Sequence, residues 1–239
     1  MAEPLILYIE TATDICSVAV SEGEKLLALV ESGPERDHAS LLNRFIREAT
    51  AKAGKELSQL DAIAVSKGPG SYTGLRIGVS TAKGVAYALE KPILSCGTIL
   101  GMAHAALQHP EIQKLIFTYG EQLLLCPMLD ARRMEVYTAF FSPTCEYIKE
   151  VSADIIDENS YKELLKDYQI CFFGNGAAKC REYITDENAH FIDGLNPSSG
   201  AMIIPVLDQF RRSEFEDVAY FEPFYLKDFV ATKPRKKIL

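Results

Sequence analysis

The residues best suited to chemistry gather in one stretch, Ser66-Lys67-Gly68-Pro69-Gly70-Ser71-Tyr72-Thr73-Gly74-Leu75-Arg76. Gly68, Pro69 and Gly70 let a backbone turn sharply, and the bare amides at the start of a following helix are a place where an anion could sit. The same glycines could equally do nothing but make the turn. A Walker loop needs Lys-Ser or Lys-Thr after its last glycine, and Leu75-Arg76 follow Gly74 instead. Metal and thiol chemistry find less support. Cys16, Cys96, Cys126, Cys145, Cys171 and Cys180 are scattered through mostly apolar runs without a Cys-x-x-Cys pair, as buried free thiols would be. Of the histidines only His104 and His109 are close, and a spacing of five does not put two ligands on one helical face, so no metal site is expected.

The elements around this stretch are legible from period and punctuation. Ala62-Ile63-Ala64-Val65 is short and β-branched enough for a buried strand, and a helical pattern runs from Thr73 to about Leu89. Within that helix Gly74, Gly78, Ala82 and Ala86 recur every four residues and stack on one side. A glycine inside a helix costs about 1 kcal/mol against alanine, so Gly74, Gly78 and Gly84 call for close approach by another backbone. The protein's own sheet and a helix of another chain both satisfy that spacing. From Asp37 another helix puts Leu41, Leu42, Phe45, Ile46 and Ala49 on one face and Asn43, Arg44, Arg47 and Glu48 opposite.

With 239 residues, 48% of them hydrophobic, the chain can bury a sizeable core. No apolar run approaches the roughly 20 residues that span a bilayer, and Met1-Ala2-Glu3-Pro4 has no basic n-region, so a cytoplasmic protein without membrane attachment is expected. A net charge of −8 argues against this chain being the main phosphate-gripping surface for a nucleic acid. The exception, Lys233-Pro234-Arg235-Lys236-Lys237, reads as a solvated tail.

Three strands over residues 5–30 precede the first helix, and the order continues helix, strand, helix, strand, helix to Leu107. After Gly120 a similar series begins, with strands at Leu123 to Leu129, Met134 to Phe141 and Tyr147 to Val151. A helix from Ser160 to Lys166, the strand Ile170 to Phe173, the turn Gly174-Asn175-Gly176 and a further helix follow. Two βββαβ units, the second shorter, would face each other across a cleft. That order resembles the α/β fold of the actin-like ATPases (ASKHA, RNase H-like) and divides the chain into an N-terminal lobe over 1–110 and a shorter C-terminal lobe over 111–239.

The glycine loop and its helix, with Ile9-Glu10-Thr11-Ala12-Thr13-Asp14-Ile15-Cys16-Ser17-Val18-Ala19 and Asp130-Ala131-Arg132-Arg133-Met134-Glu135-Val136-Tyr137, closely resemble the bacterial TsaB family. The match covers most of the chain and is strongest over residues 5–97; past Val151 it rests on Gly174-Asn175-Gly176 and Tyr225-Leu226. The resemblance implies a role in making threonylcarbamoyladenosine beside the anticodon of tRNAs that read codons beginning with A. Members of the family do not transfer the group themselves. They pair with the catalytic paralogue TsaD, are joined by the ATPase TsaE, form homodimers when TsaD is absent, and meet tRNA only through the complex. The implied pairing surface is the two first-lobe helices, with Leu41, Leu42, Phe45, Ile46, Gly74, Leu75, Gly78, Ala82 and Ala86 as its contacts. On that expectation Gly78→Leu abolishes partner binding and leaves the monomer folded.

The resemblance also bears on catalysis. TsaD holds its metal with two histidines four apart on the helix after a Lys-Pro strand, and counting from Lys91-Pro92 the matching positions here are Thr98 and Met102, a poor and a soft ligand. Where actin-like kinases end the first strand in a magnesium-orienting aspartate, this chain has Glu10, followed by Thr11 in the first hairpin turn. One methylene more disturbs octahedral geometry, and a strand-end carboxylate capping nearby amides is the other role for Glu10. Asp130 and Arg132 fall on the second hairpin turn, where such kinases bind phosphate, and either read something in the cleft or pair with each other. Gly174 and Gly176 fall where the superfamily contacts adenosine. No tightly bound cofactor is expected, with magnesium-ATP held at most weakly or at the complex interface. Against the scaffold stand a free-standing actin-like enzyme or metallopeptidase, and a binding module for other partners.

Overall fold

The first apolar run forms strand β1 (Leu5–Glu10), which in the computed structural model, describing residues 3–33 and 37–227, is buried along its whole length. Its alternation explains why: Leu5, Leu7 and Ile9 enter one core while Ile6 and Tyr8 enter another, so both faces of the strand are covered. β2 (Ser17–Glu22) pairs antiparallel with β1, and β3 (Lys25–Glu31) with β2. Helix α1 (His38–Lys52) then crosses to β4 (Ala62–Gly68), parallel to β1, and α2 (Tyr72–Leu89) crosses to β5 (Ile93–Gly97), parallel to β4. The sheet order is β3-β2-β1-β4-β5, with α1 and α2 packed on the Leu7 face.

The second half repeats this topology. After α3 (Thr98–Ala106) and α4 (Pro110–Tyr119), strands β6 (Leu123–Asp130), β7 (Glu135–Phe141) and β8 (Tyr147–Ile155) form an antiparallel meander. α5 (Lys162–Asp167) leads to β9 (Gln169–Phe173), parallel to β6, and α6 (Ala177–Cys180) to β10 (Ala189–Ile192), parallel to β9. The order β10-β9-β6-β7-β8 makes two mixed sheets of the same plan, the duplicated actin-like α/β arrangement that the element order implies. The second unit is the reduced one: its crossover helices have 6 and 4 residues against 15 and 18 in the first.

The cores do not divide at residue 110. α3 puts Ile99, Met102, Ala103 and Ala106 into the core of the second sheet, because the first sheet's faces are already taken. One of those faces is closed by a segment from far along the chain, α7 (Ile203–Arg211), whose Ile203, Val206 and Leu207 pack with Met202 on Ile6, Tyr8, Ala62 and Leu94. The following residues stay on the first lobe: Glu216 bridges to Ile93, Phe221 enters the core under α2, and the Phe224 amide donates to the Lys67 carbonyl at 2.7 Å. α4, β10 and α7 are absent from the sequence reading. Pro110 at the first turn of α4 is the start signal that reading missed, and of that helix only Ile112 is buried, which leaves its apolar period weak.

All six cysteines are buried free thiols. Among the described residues no helix is long and apolar enough to cross a membrane. The basic run 233–237 lies outside the described residues.

Candidate functional site

The glycine loop is built as a turn. Gly68 has φ 112°, and a β-carbon there would stand 2.7 Å from the Phe224 carbonyl oxygen; one on Gly70 would stand 2.4 Å from that of Ala12. Ser71 caps α2 by accepting from the Gly74 amide at 3.2 Å, and its own amide donates to Ala12 at 2.7 Å. The Ser71 and Gly74 amides thus serve the protein itself, and the glycines make the turn.

The loop and the first hairpin turn grip each other through Thr11. Its Oγ1 donates to the Gly74 carbonyl at 2.8 Å, and β-carbons on Gly74 and Gly78 would come within 2.1 and 2.2 Å of Thr11 atoms. The expected contact residues face into the protein's own fold. Gly74, Leu75, Gly78, Ala82 and Ala86 are buried within the chain, as are Leu41, Leu42, Phe45 and Ile46 of α1. The stacked glycines admit the protein's own β1–β2 turn, and the apolar stripe of α1 covers its own sheet. What α2 turns outward is its opposite side, where Thr73, Ser80, Gly84, Tyr87 and Ala88 share an exposed face and a β-carbon on Gly84 would meet nothing within 4 Å. Cavities of about 260 and 460 Å³ flank this side of the helix; Arg76, Ser80, Lys83 and Tyr225 line the first, and Tyr87, Ala88 and Val218 the second.

Glu10 lies wholly inside. Its Oε1 accepts from the Ala12 amide at 2.6 Å and the Ser66 hydroxyl at 2.8 Å, the capping role open to a strand-end carboxylate. Burial pushes its carboxyl up to about 7 against those hydrogen bonds. Magnesium needs an ionised, reachable oxygen, and a carboxyl so placed does not fit that ion.

On the second lobe the structure brings Asp130, Arg132, Gly174 and Gly176 together. The Asn175 side chain accepts from the Asp130 amide at 3.0 Å, the Gly176 amide donates to Met128 at 3.0 Å, and β-carbons on Gly174 or Gly176 would strike β6 backbone at 2.4 to 2.8 Å. Asp130 and Arg132 do pair, but through the Arg132 backbone amide, 3.0 Å from Asp130 Oδ1, and not through the guanidinium. The ion-pair partner of Asp130 is Lys179 on α6. Sequence reasoning missed that lysine; its one signal is its place three residues after the Gly174-Asn175-Gly176 turn. No hydrogen bond or ion pair among the described residues joins Glu10 or Thr11 to this group, so the two hairpin turns form separate clusters.

Thr98 and Met102 are both buried. Met102 reaches Gly174, where a β-carbon would stand 2.5 Å from its Cε, so side-chain packing fills the place that a metal-binding pair would need.

A family model described as TsaD, tRNA N6-adenosine threonylcarbamoyltransferase, matches residues 32–233. The chain belongs to this family. Within it the chain is similar, nearly end to end, to proteins of the TsaB (YeaZ) type. The tRNA threonylcarbamoyladenosine biosynthesis protein TsaB of Haemophilus influenzae is 26% identical over 95% of each chain. That of Escherichia coli is 27% identical, over 95% of this chain and 96% of its own. The solved structure of YeaZ from Pseudomonas aeruginosa shares the fold with a TM-score of 0.75 at 24% identity, covering 93% of this chain and all of that one.

Proposed function

We propose that this chain is a non-catalytic subunit of the machinery that makes threonylcarbamoyladenosine at adenosine 37 of tRNA, binding and activating the catalytic paralogue TsaD, with the ATPase TsaE joining them in the cytoplasm. The observation that carries this reading is the packing of Met102 against Gly174. A family whose named activity is group transfer has, in this chain, a buried threonine and a core methionine where the resemblance puts the transferase's metal pair. Glu10 supports it, since a buried carboxyl titrating near 7 and already bonded to Ala12 and Ser66 is a poor ligand for magnesium-ATP.

The exposed side of α2 supports a partner surface there. Thr73, Ser80, Gly84 and Ala88 make an exposed strip with almost no side-chain bulk, and Tyr87 beside it is 81% exposed. Such a strip suits close docking of a partner helix, with the aromatic as an anchor. A second copy of the chain would use the same face when the paralogue is absent.

Size-exclusion chromatography with light scattering on the chain, alone and mixed with the TsaD of the same organism, tests this directly. A one-to-one complex that forms with or without ATP and is prevented by Gly84→Leu is the expected result. Failure to form a complex, together with magnesium-ATP binding by the isolated chain, would replace the scaffold with an enzyme working in its own cleft.

A further inference from the structure

We propose that the tip of the second hairpin contacts the phosphate backbone of RNA through Arg132 and Arg133, an inference that rests on the tRNA-modification reading above. Both residues lie in the left-handed region, with φ of 71° and 49°. The four residues 131–134 connect β6 to β7, and left-handed positions in such turns normally go to Gly, Asn or Asp, because the β-carbon of a long side chain is crowded there. Two consecutive arginines break the local rule at an exposed turn, and what justifies them is what their side chains meet outside the fold.

The turn is held firmly from behind. The Ala131 amide donates to the Glu135 carbonyl, and the Glu135 amide to that of Arg132, each at 3.1 Å. Lys179 Nζ donates to the Arg133 and Glu135 carbonyls, both at 2.7 Å, and pairs with Asp130. Lys227 pairs with Glu135. Asp130 and Glu135, the two acidic residues that flank the turn, thus each have a lysine partner. Among the described residues neither arginine guanidinium has a hydrogen-bond, ion-pair or ring partner. Two forked cations therefore stand exposed, without an ion pair among the described residues, on a preorganised tip, in a chain whose net charge is −8. The guanidinium fork matches phosphate oxygens in pairs, and backbone contacts of this kind need no base sequence.

A polymer fits better than a single nucleotide. Small ligands need an enclosing pocket, and the cavities that flank α2 are lined by no residue of this hairpin. Repeating phosphates need only spaced cations.

The test is fluorescence anisotropy with a labelled, unmodified tRNA transcript, on the full chain and on its mixture with the catalytic paralogue, over a range of salt concentrations. The double variant R132N/R133G gives the turn the residues it prefers, so its melting temperature should not fall. Its RNA affinity should drop about tenfold, and the slope of log affinity against log salt should flatten by about one and a half; R132K/R133K should recover most of both. Equal RNA binding by wild type and R132N/R133G, or none by either in both settings, overturns the proposal. Displacement of the RNA by ATP alone would overturn it in favour of a nucleotide site, and binding to anionic vesicles without RNA binding would do so in favour of a membrane surface. If the two proteins do not associate while arginine-dependent RNA binding persists in the isolated chain, the partner reading falls and this one stands.

Discussion

Glu10 ends a strand with its carboxyl wholly enclosed, and that placement makes stability depend on pH with a definite sign. The group titrates at about 7 in the fold against an ordinary 4.5. Below 4.5 it is protonated in both the folded and unfolded states, and its contribution is complete. As pH rises through 7 the unfolded chain has already lost the proton that the folded one retains, so stability falls and then levels off. Glu10→Gln keeps an acceptor for Ala12 and Ser66 without the titration. In circular-dichroism melts the wild type should lose stability between pH 5 and pH 8, while the variant stays flat and at pH 8 is more stable by up to about 3 kcal/mol. Parallel pH profiles would mean that Glu10 does not carry this proton. The capping role of Glu10 was legible in the sequence because its partners are two residues away and on the neighbouring strand. The partner of Asp130 was not, since Lys179 reaches it only after α6 docks across 49 residues of chain.

At the scale of one helix, α2 carries small residues on two sides, and the sides predict opposite outcomes. Gly78→Leu, read from sequence as harmless to the monomer, forces a side chain onto Thr11, where even a β-carbon has 2.2 Å. Gly78→Ala should already lower the melting temperature by several degrees, the effect of overpacking by about 1 to 3 kcal/mol. Gly84→Ala has open space and should raise stability by about 1 kcal/mol, as removal of an exposed helical glycine does. Equal responses from the two variants would contradict the packing described. The four-residue recurrence of Gly74, Gly78, Ala82 and Ala86 correctly marks residues that share a face. Spacing does not say which face turns inward, and that is decided by the β1–β2 turn, whose Thr11 is 63 residues from Gly74 in sequence. Most strands and both long helices were readable because each is buried on a face that its own period defines. β10 escaped because its four residues are too few for a period, and α7 because its burial is set by a sheet at the other end of the chain.

For the whole molecule, the decisive contact is the return of α7 to the first sheet. Met202, Ile203, Val206 and Leu207 each contribute about 1.5 to 3 kcal/mol by burial against Ile6, Tyr8, Ala62 and Leu94. Residues 1–110 expressed alone should therefore be unfolded or aggregated by NMR, whereas the same sheet with residues 199–227 fused after Gly97 through a flexible linker should give dispersed amide signals. A folded 1–110 fragment would show that α7 is dispensable. The same contact has a consequence for synthesis. When β5 leaves the ribosome the first sheet has all its strands, yet one apolar face stays bare until residue 211 has been added, roughly 6 to 23 seconds later at ordinary elongation rates. For that interval the nascent chain displays Ile6, Tyr8 and Leu94 to the cell, and a holding chaperone on the emerging first lobe is the natural substitute for α7.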